Sequence, residues 1–332
     1  SHNVAIGEIA LRVNTASNNT AVGRAALISN TTGNDLIAIG CGALYSNTSG
    51  VDNIAIGYQS QYNTTTGHSN VSMGWQSMVT NTIGTSNVAL GFEAMKQNTE
   101  GTGNVAVGYE ALQDNTTGGV NVAIGYRALK VNTASNNIAV GYASLCSNST
   151  GIRGLAIGYN ALCGNTTAAD NMAIGFCALK SNQTSGDNMA IGNFNMEDST
   201  TGTNNVSVGL SSMRKNTSGS YNTTTGRSAL TCNTTGSSNT AIGYKSLEAN
   251  ISGAGNVAVG KDALDSNTTG STNTALGLDA LQSNTTASNN TAVGYDSLQA
   301  NTSGTQNTVV GALAGDAIDT ANYNTAMGYA AL

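Results

Sequence analysis

The sequence predicts an all-β fold of the parallel β-solenoid class. The first observation is a recurring motif of the type Asn-Val-Ala-Ile-Gly, whose glycine returns from Gly7 to Gly328 in 20 copies, at steps of 17 residues with two steps of 16. The second is that a unit this short cannot bury enough apolar surface to fold alone, so each unit must stack on its neighbours. The third is the absence of proline, which suits strands that need every backbone N–H.

Each repeat is predicted to hold a strand, a corner, a second short strand and a polar turn. We count positions from the motif glycine as zero, so that Gly108 is position 0 of the coil containing Asn104 at position −4 and Leu112 at position +4. The segment Asn115 to Gly118 has turn chemistry, because Asn and Thr bond to nearby backbone and glycine accepts positive φ. The whole array is expected to hold about 20 coils.

The first strand is apolar on both faces. Alternation places Val105, Val107 and Tyr109 on one side, and Ala106 and Gly108 on the other. One face can pack inside the coil, and the other must then meet a further surface, which predicts oligomerisation along the array. The sequence does not decide which face is internal, and we favour the small Ala/Gly face at the closest approach of backbones.

Three columns of residues are predicted to be structural. Leucine or methionine at position +4, as in Leu112 and Leu129, forms the core. Asparagine at position −4, as in Asn104 and Asn121, is present in 18 of 20 coils and can form an amide ladder. The third column is the motif glycine itself, as in Gly108 and Gly125, and variable positions such as Gln113 and Lys130 are expected to tolerate substitution.

Composition excludes several classes of function. Charged residues are only 9% of the chain and the net charge is −6, without a Lys/Arg cluster, so we expect neither nucleic-acid binding nor membrane insertion. We expect residues 3–332 to be one continuous array cut from a longer fibre, because it is in full repeat at both ends. Ser1 and His2 are interpreted as a vector-derived remnant.

The motifs at residues 3–7, 121–125, 239–243 and 290–294 resemble the repeat of trimeric autotransporter adhesin heads. The longer unit at residues 290–304 is similar to arrays in phage tail fibres and bacterial surface fibres, although it is longer than the usual adhesin unit. The resemblance implies a left-handed β-roll in which three identical chains pack side by side. It also implies an extracellular place, on a virion tail fibre or a bacterial surface, and attachment to a host-cell glycan or protein receptor.

No enzyme active site is predicted, and no cofactor is required. The two histidines, His2 and His68, are far apart, and no glycine-rich segment matches a phosphate loop. Position +2 holds one acidic column that calcium could bridge, although the alternative is three exposed carboxylates that rotate apart in water. This candidate cation ladder consists of Asp262, Asp279 and Asp296.

Position +1 carries an aromatic column that could be a platform for sugars. Packing at an oligomer seam is the favoured interpretation, because Phe176, Leu210 and Leu278 occupy the same column. The candidate residues of the platform are Tyr109, Tyr126, Tyr142 and Tyr159. Cys146 and Cys163 share a column in successive coils and could form a disulfide, but free thiols are favoured.

The leading functional hypothesis is a structural and adhesive fibre segment, a stiff trimeric rod that presents a repetitive surface. An ice- or crystal-binding solenoid is the first alternative, suggested by a threonine column at position −3. The position −1 partners in those coils are apolar, however, which argues against a flat threonine face. A non-catalytic carbohydrate-binding fibre is the second alternative. The threonine column consists of Thr274, Thr291, Thr308 and Thr325.

Overall fold

The computed structural model describes residues 2–332 and confirms an all-β chain of parallel coils. Twenty strands of three residues are formed, and no helix occurs in this range. The chain divides into two compact units, Ser1–Ala168 and Ala169–Leu332, with ten strands in each.

The strands of the first unit are β1 Val4–Ile6, β2 Thr20–Val22, β3 Ile37–Ile39, β4 Ile54–Ile56, β5 Val71–Met73, β6 Val88–Leu90, β7 Val105–Val107, β8 Val122–Ile124, β9 Ile138–Val140 and β10 Leu155–Ile157. Those of the second unit are β11 Met172–Ile174, β12 Met189–Ile191, β13 Val206–Val208, β14 Thr223–Thr225, β15 Thr240–Ile242, β16 Val257–Val259, β17 Thr274–Leu276, β18 Thr291–Val293, β19 Thr308–Val310 and β20 Thr325–Met327.

Within each unit, every strand pairs in parallel with the next strand of the chain, at equivalent repeat positions. Ala106 of β7 faces Ala123 of β8, and Ala258 of β16 faces Ala275 of β17. The period in the sequence is therefore one turn of a parallel β-solenoid, as predicted.

The two 16-residue steps keep this register by shortening the polar turn. In a 17-residue coil, the side chain of Asn115 donates to the carbonyl of Gly118, three residues later. In a shortened coil, Asn132 donates to the carbonyl of Ala134, only two residues later. The strand pairing on either side is unchanged, since Val122 still faces Ile138.

The predicted second short strand is wrong. The segment after the motif glycine is a succession of turns, in which positions +2 and +4 have positive φ, as in Glu110 at 52° and Leu112 at 51°. The left-handed region is unfavourable for residues with a Cβ. These turns nevertheless deliver the leucine of each coil to the interior.

The core lies behind the small face of the strand. Ala106 and Leu112 have no exposed surface, whereas Val105 and Val107 are only half-buried. The preference for an internal Ala/Gly face and the leucine column are both confirmed. The opposite face of the strand carries its larger apolar side chains outwards.

Close approach of backbones explains two glycine columns. Gly108 has a φ of 137°, and a Cβ built there would overlap the carbonyl of Gly125 in the next coil. The sequence analysis expected positive φ at the turn glycine Gly118, and this is wrong, because Gly118 does not have positive φ. A Cβ on Gly118 would instead overlap the carbonyl oxygen of Ala134 and lie 2.5 Å from Oδ1 of Asn115.

The predicted asparagine ladder is present. The backbone N–H of Asn121 donates to Oδ1 of Asn104 at 2.9 Å, while Nδ2 of Asn104 donates across the coil to the carbonyl of Gly118 at 2.9 Å. A second ladder, which the sequence analysis treated as turn chemistry, runs along position +7. There Nδ2 of Asn115 donates to Oδ1 of Asn98 at 3.0 Å, and all these asparagines are fully buried.

Leu129→Asp tests the core column. We expect the free energy of unfolding to fall by about 3 kcal/mol or more, because the change buries an unpaired carboxylate. Thermal unfolding followed by circular dichroism measures the effect. Val131→Asp is the control, since Val131 is 42% exposed. A melting temperature of Leu129→Asp within a degree or two of the parent would contradict an internal leucine column.

Asn104→Leu tests the first ladder. Leucine occupies this column at Leu36, where it is fully buried, so its size is compatible with the site. The change removes the acceptor of the Asn121 N–H and the donor to the Gly118 carbonyl, and we expect a loss of about 2–4 kcal/mol in urea unfolding. The exposed control Asn63→Leu should change stability by less than about 0.5 kcal/mol. Equal effects of the two changes would show that the ladder adds no stability.

Candidate ligand-binding surface

The aromatic column at position +1 is a continuous stack of rings in the first unit. Successive centroids lie 4.9 to 6.0 Å apart, with interplanar angles of 5 to 16°. The stack contains all four tyrosines predicted as a platform. In order, its members are Tyr58, Trp75, Phe92, Tyr109, Tyr126, Tyr142 and Tyr159. We call this set the aromatic ladder.

Stacking determines what the aromatic ladder can bind. A sugar ring packs its C–H groups against an aromatic face, but both faces of Tyr109 are covered by Phe92 and Tyr126. Tyr109 is 42% exposed, so what it presents to solvent is its edge. The geometry inside the ladder therefore favours packing against another protein surface, and only a terminal ring can offer a free face.

A charged network borders the ladder in the same unit. Glu110 accepts from Nε of Arg127 and Nζ of Lys130, both at 2.8 Å. Burial by itself raises the pKa of Glu110, but the hydrogen bonds from Lys130 and Arg127 outweigh burial, and the pKa is lowered. Arg127 also lies over the ring of Tyr126, 5.0 Å from its centroid. The network attaches the ladder to the turns beside it.

Two positions expected to tolerate change make side-chain contacts with glutamates of other coils. Lys130 is paired with Glu110, and Gln113 is buried and donates to Oε2 of Glu93 at 2.5 Å. They are variable between coils, but each has a specific partner in the preceding coil. The sequence analysis did not anticipate these partners, and the expected tolerance of both positions to substitution stays a prediction.

The candidate cation ladder lies in the second unit, and the carboxylate of its first member, Asp262, already forms an ion pair. Nζ of Lys261 lies 2.5 Å from Oδ2 of Asp262. Burial raises the pKa of Asp279; the Lys261 ammonium opposes this rise, while the Asp262 and Asp296 carboxylates add to it. Across residues 2–332, no three or more His, Cys, Asp or Glu side chains are grouped so as to hold a metal ion. The predicted cation ladder is thus a column of crowded carboxylates with a lysine at one end.

The sequence analysis missed a neighbouring acidic group, Asp265 at position +5. Its pKa is raised to about 6 by burial, and further by the carboxylates of Glu248 and Asp262, against the opposing charge of Lys245. Oδ1 of Asp265 is buried without a hydrogen-bond partner. The signal in the sequence is that Glu248 and Asp265 occupy the same column in successive coils.

Cys146 and Cys163 form a disulfide, with Cα atoms 5.0 Å apart. The preference for free thiols at these positions is therefore wrong. The other three cysteines are free, with Cys41 exposed and Cys177 buried. Burial raises the pKa of the Cys177 thiol.

His68 lies in an exposed turn, where Nδ1 is 3.3 Å from Oγ of Ser69. Within residues 2–332, none of the elements is a helix long and apolar enough to cross a bilayer.

Asp265→Asn tests the crowded carboxylates. The folded protein holds the Asp265 proton up to a pH of about 6, against 3.8 for an ordinary aspartate, so this contribution to stability is full below about pH 4 and lost as the pH rises through 6. We expect Asp265→Asn to melt about 1–3 °C above the parent at pH 7.5 and to match it at pH 4. The exposed control Asp316→Asn, at the same column position, should show no such pH-dependent difference. A constant difference for Asp265→Asn across this range would contradict the assignment.

A comparison with protein-family models and with curated protein sequences found no significant match for this chain.

Proposed function

We propose that this chain is a segment of a trimeric fibre that mediates attachment outside the cell. The observation that carries the proposal is the outward face of the strands, where two apolar ranks face solvent in a single chain. In the first unit Ile124, Ile138 and Ile157 are 40%, 42% and 38% exposed, and in the second unit Ile242 is 40% exposed. A surface of this kind on a soluble protein is typical of an interface.

The aromatic ladder supports the same proposal. Tyr109 follows β7 by two residues and is 42% exposed, so its ring edge adds to the exposed apolar surface of its coil. Aromatic residues are enriched in the centres of protein interfaces, because they bury large areas. Three chains packed along these faces, each a left-handed roll, would remove both features from water.

The exterior suits a rod at a virion or bacterial surface. Charged residues are 9% of the sequence, and asparagine, threonine and serine supply neutral hydrogen-bonding groups. The proposed role is length, stiffness and a repeated surface, with a glycan or a protein receptor of the host cell as partner. Neither catalysis nor a bound cofactor is part of this proposal.

Ice binding is less well supported by the strand faces. The outward positions of β17 are Thr274 and Leu276, so threonine is paired with an apolar residue. Only β14 in the second unit has threonine at both outward positions, Thr223 and Thr225. A flat rank of paired threonines is therefore confined to one coil of that unit.

The double change Ile124→Lys and Ile138→Lys tests the trimer. Both side chains are exposed in one chain, so a monomer should keep its stability within about 0.5 kcal/mol per change, whereas lysines facing each other across a seam oppose assembly. We expect sedimentation velocity to show a trimer for the parent and a monomer for the variant, with unchanged circular dichroism.

Val120→Lys is the matched control, because Val120 is 64% exposed but lies in the polar turn. This control should remain trimeric. A monomeric parent protein over the micromolar range would overturn the trimer. If the variant with both lysines remains a trimer, the interface does not include the strand face around Ile124 and Ile138.

A further inference from the structure

The asparagine ladder at position −4 is interrupted immediately before β10. The residue there is Gly154, which is buried and has no side chain to continue the ladder. One coil earlier, Nδ2 of Asn137 donates across its coil to the carbonyl of Gly151 at 2.9 Å. Oδ1 of Asn137 accepts from the N–H of Gly154 at 2.8 Å, but Gly154 has no amide to make the next bond across the coil. This coil therefore lacks a buried hydrogen bond that the coil before it has.

A second interruption of the same column, at Leu36, is filled by a side chain. Leu36 is fully buried, so apolar packing replaces the lost amide there. Gly154 supplies neither an amide nor an apolar side chain. Because a missing buried hydrogen bond and missing side-chain contacts both reduce stability, the coil of Gly154 is a weak point of the ladder.

The disulfide between Cys146 and Cys163 encloses this same coil. The two cysteines are 17 residues apart, so the loop that they close contains Gly154 and all of β10. Both cysteines lie at position +5, where other coils carry side chains such as Gln113 and Lys130. A disulfide restricts the unfolded chain and so opposes separation of the two coils that it joins. The covalent link is thus placed at the coil whose side-chain hydrogen bonding is incomplete.

The disulfide lies where a reductant in solution can reach it. Cys146 and Cys163 are both half-buried, and the neighbouring Ser147 is exposed. A hydrogen bond between the two coils lies directly beside the disulfide, since the N–H of Leu145 donates to the carbonyl of Ala161 at 2.9 Å. The exchange of this N–H with solvent therefore reports whether the two coils stay together.

We propose that the disulfide between Cys146 and Cys163 is a redox-sensitive staple, which holds two coils together where the asparagine ladder is interrupted and lets them separate when it is reduced. The reaction is thiol–disulfide exchange with a dithiol. One sulfur of the dithiol attacks a cysteine sulfur as a thiolate, and the S–S bond of the protein breaks. The second sulfur of the dithiol then displaces the cysteine that the first one holds. The dithiol leaves as a disulfide, and its two protons end on the two cysteine thiols.

This inference goes beyond the proposed fibre function and does not depend on the trimer. Disulfides persist in oxidising compartments and are kept reduced in the cytosol. In a reducing compartment these two coils are held by non-covalent contacts alone, and in an oxidising one the staple joins them. The redox state of the surroundings therefore controls how firmly the coils stay stacked at Gly154.

Hydrogen–deuterium exchange of the whole chain, measured by mass spectrometry with and without dithiothreitol, tests the staple. Reduction should accelerate exchange of the Leu145 N–H by about tenfold or more, because the opened coil is no longer restricted. The N–H of Met95, which bonds to the next coil within an uninterrupted stretch of the ladder, should change by less than about twofold. Dithiothreitol acts on this disulfide alone, because the other three cysteines are free.

Gly154→Asn connects the staple with the interruption of the ladder. Gly154 does not have positive φ, so asparagine is compatible with its backbone. An added Cβ would lie 3.1 Å from Oδ1 of Asn137 and 3.2 Å from Cδ2 of Leu145, which are side-chain atoms that can move. With the amide restored, reduction should accelerate exchange at Leu145 by less than about threefold.

An introduced disulfide at an intact part of the ladder is the matched control. The pair Gln282→Cys and Gln299→Cys occupies position +5 in successive coils, and Nε2 of Gln299 lies 3.2 Å from Oε1 of Gln282. The loop between them contains Asn290 at position −4. Reduction of this disulfide should accelerate exchange of the neighbouring Leu281 N–H by less than about threefold, because the ladder holds the coils together there.

Three results would overturn the inference: no acceleration at Leu145 on reduction, an equal acceleration at Met95, or an undiminished effect in Gly154→Asn. Circular dichroism verifies that the variant folds. If Gly154→Asn does not fold, an equally large effect at the introduced disulfide overturns the link to the ladder. Sedimentation of the oxidised and reduced parent separates the two proposals, since a monomer that shows the local acceleration contradicts the trimer alone.

Discussion

The constraint on which the rest of the structure depends is the contact between successive coils at the motif glycine. At Gly108 the space of a side chain is occupied by the backbone of Gly125, so the two coils can stack only at equivalent positions. Each residue then lies beside its counterpart in the next coil. Columns of like residues follow from this register, and so do the ladders, the ring stack and the crowded carboxylates.

The same register has opposite effects on different side chains. The asparagine amide both donates and accepts: Oδ1 of Asn104 accepts from the backbone N–H of Asn121, and Nδ2 of Asn104 donates to the carbonyl of Gly118, so both ends of this buried amide are satisfied. Aromatic rings also stack favourably, at the cost of covering the faces that could bind ligands. Carboxylates only accept when ionised, and burial, followed by the neighbouring carboxylate of Glu248, raises the pKa of Asp265, so that it retains its proton to a higher pH. Sequence columns are therefore stabilising or destabilising according to their hydrogen-bonding chemistry.

Much of the fold could be predicted from the sequence, because a solenoid turns sequence period directly into spatial neighbours. The strands, the leucine column and the ladder at Asn104 needed only this period. The turn conformation did not follow, since nothing in the residue types of Glu110 and Leu112 indicates positive φ. The buried role of Asn115 was missed because an asparagine before Thr-Thr-Gly has the composition of an exposed turn.

The candidate surface was predictable only in part, for a related physical reason. The sequence identified the tyrosines of the aromatic ladder, but whether a ring presents its face or its edge depends on the angle between neighbours. The partner of Lys130 lies 20 residues earlier, on a different column, so a comparison within columns does not find it.

The left-handed turns have a consequence for how the array grows. Residues with a Cβ in this region cost about 1 kcal/mol each, and the coil of Glu110 and Leu112 contains three of them, since Val120 also has positive φ. An inner coil offsets this strain with contacts on two sides, but a terminal coil has only one neighbour. Within each unit, ordering should therefore begin as a slow nucleation among several coils and extend by template addition, and fraying should begin at exposed ends. A free end of such an array is its least stable part, and it is also the surface on which another coil can be added.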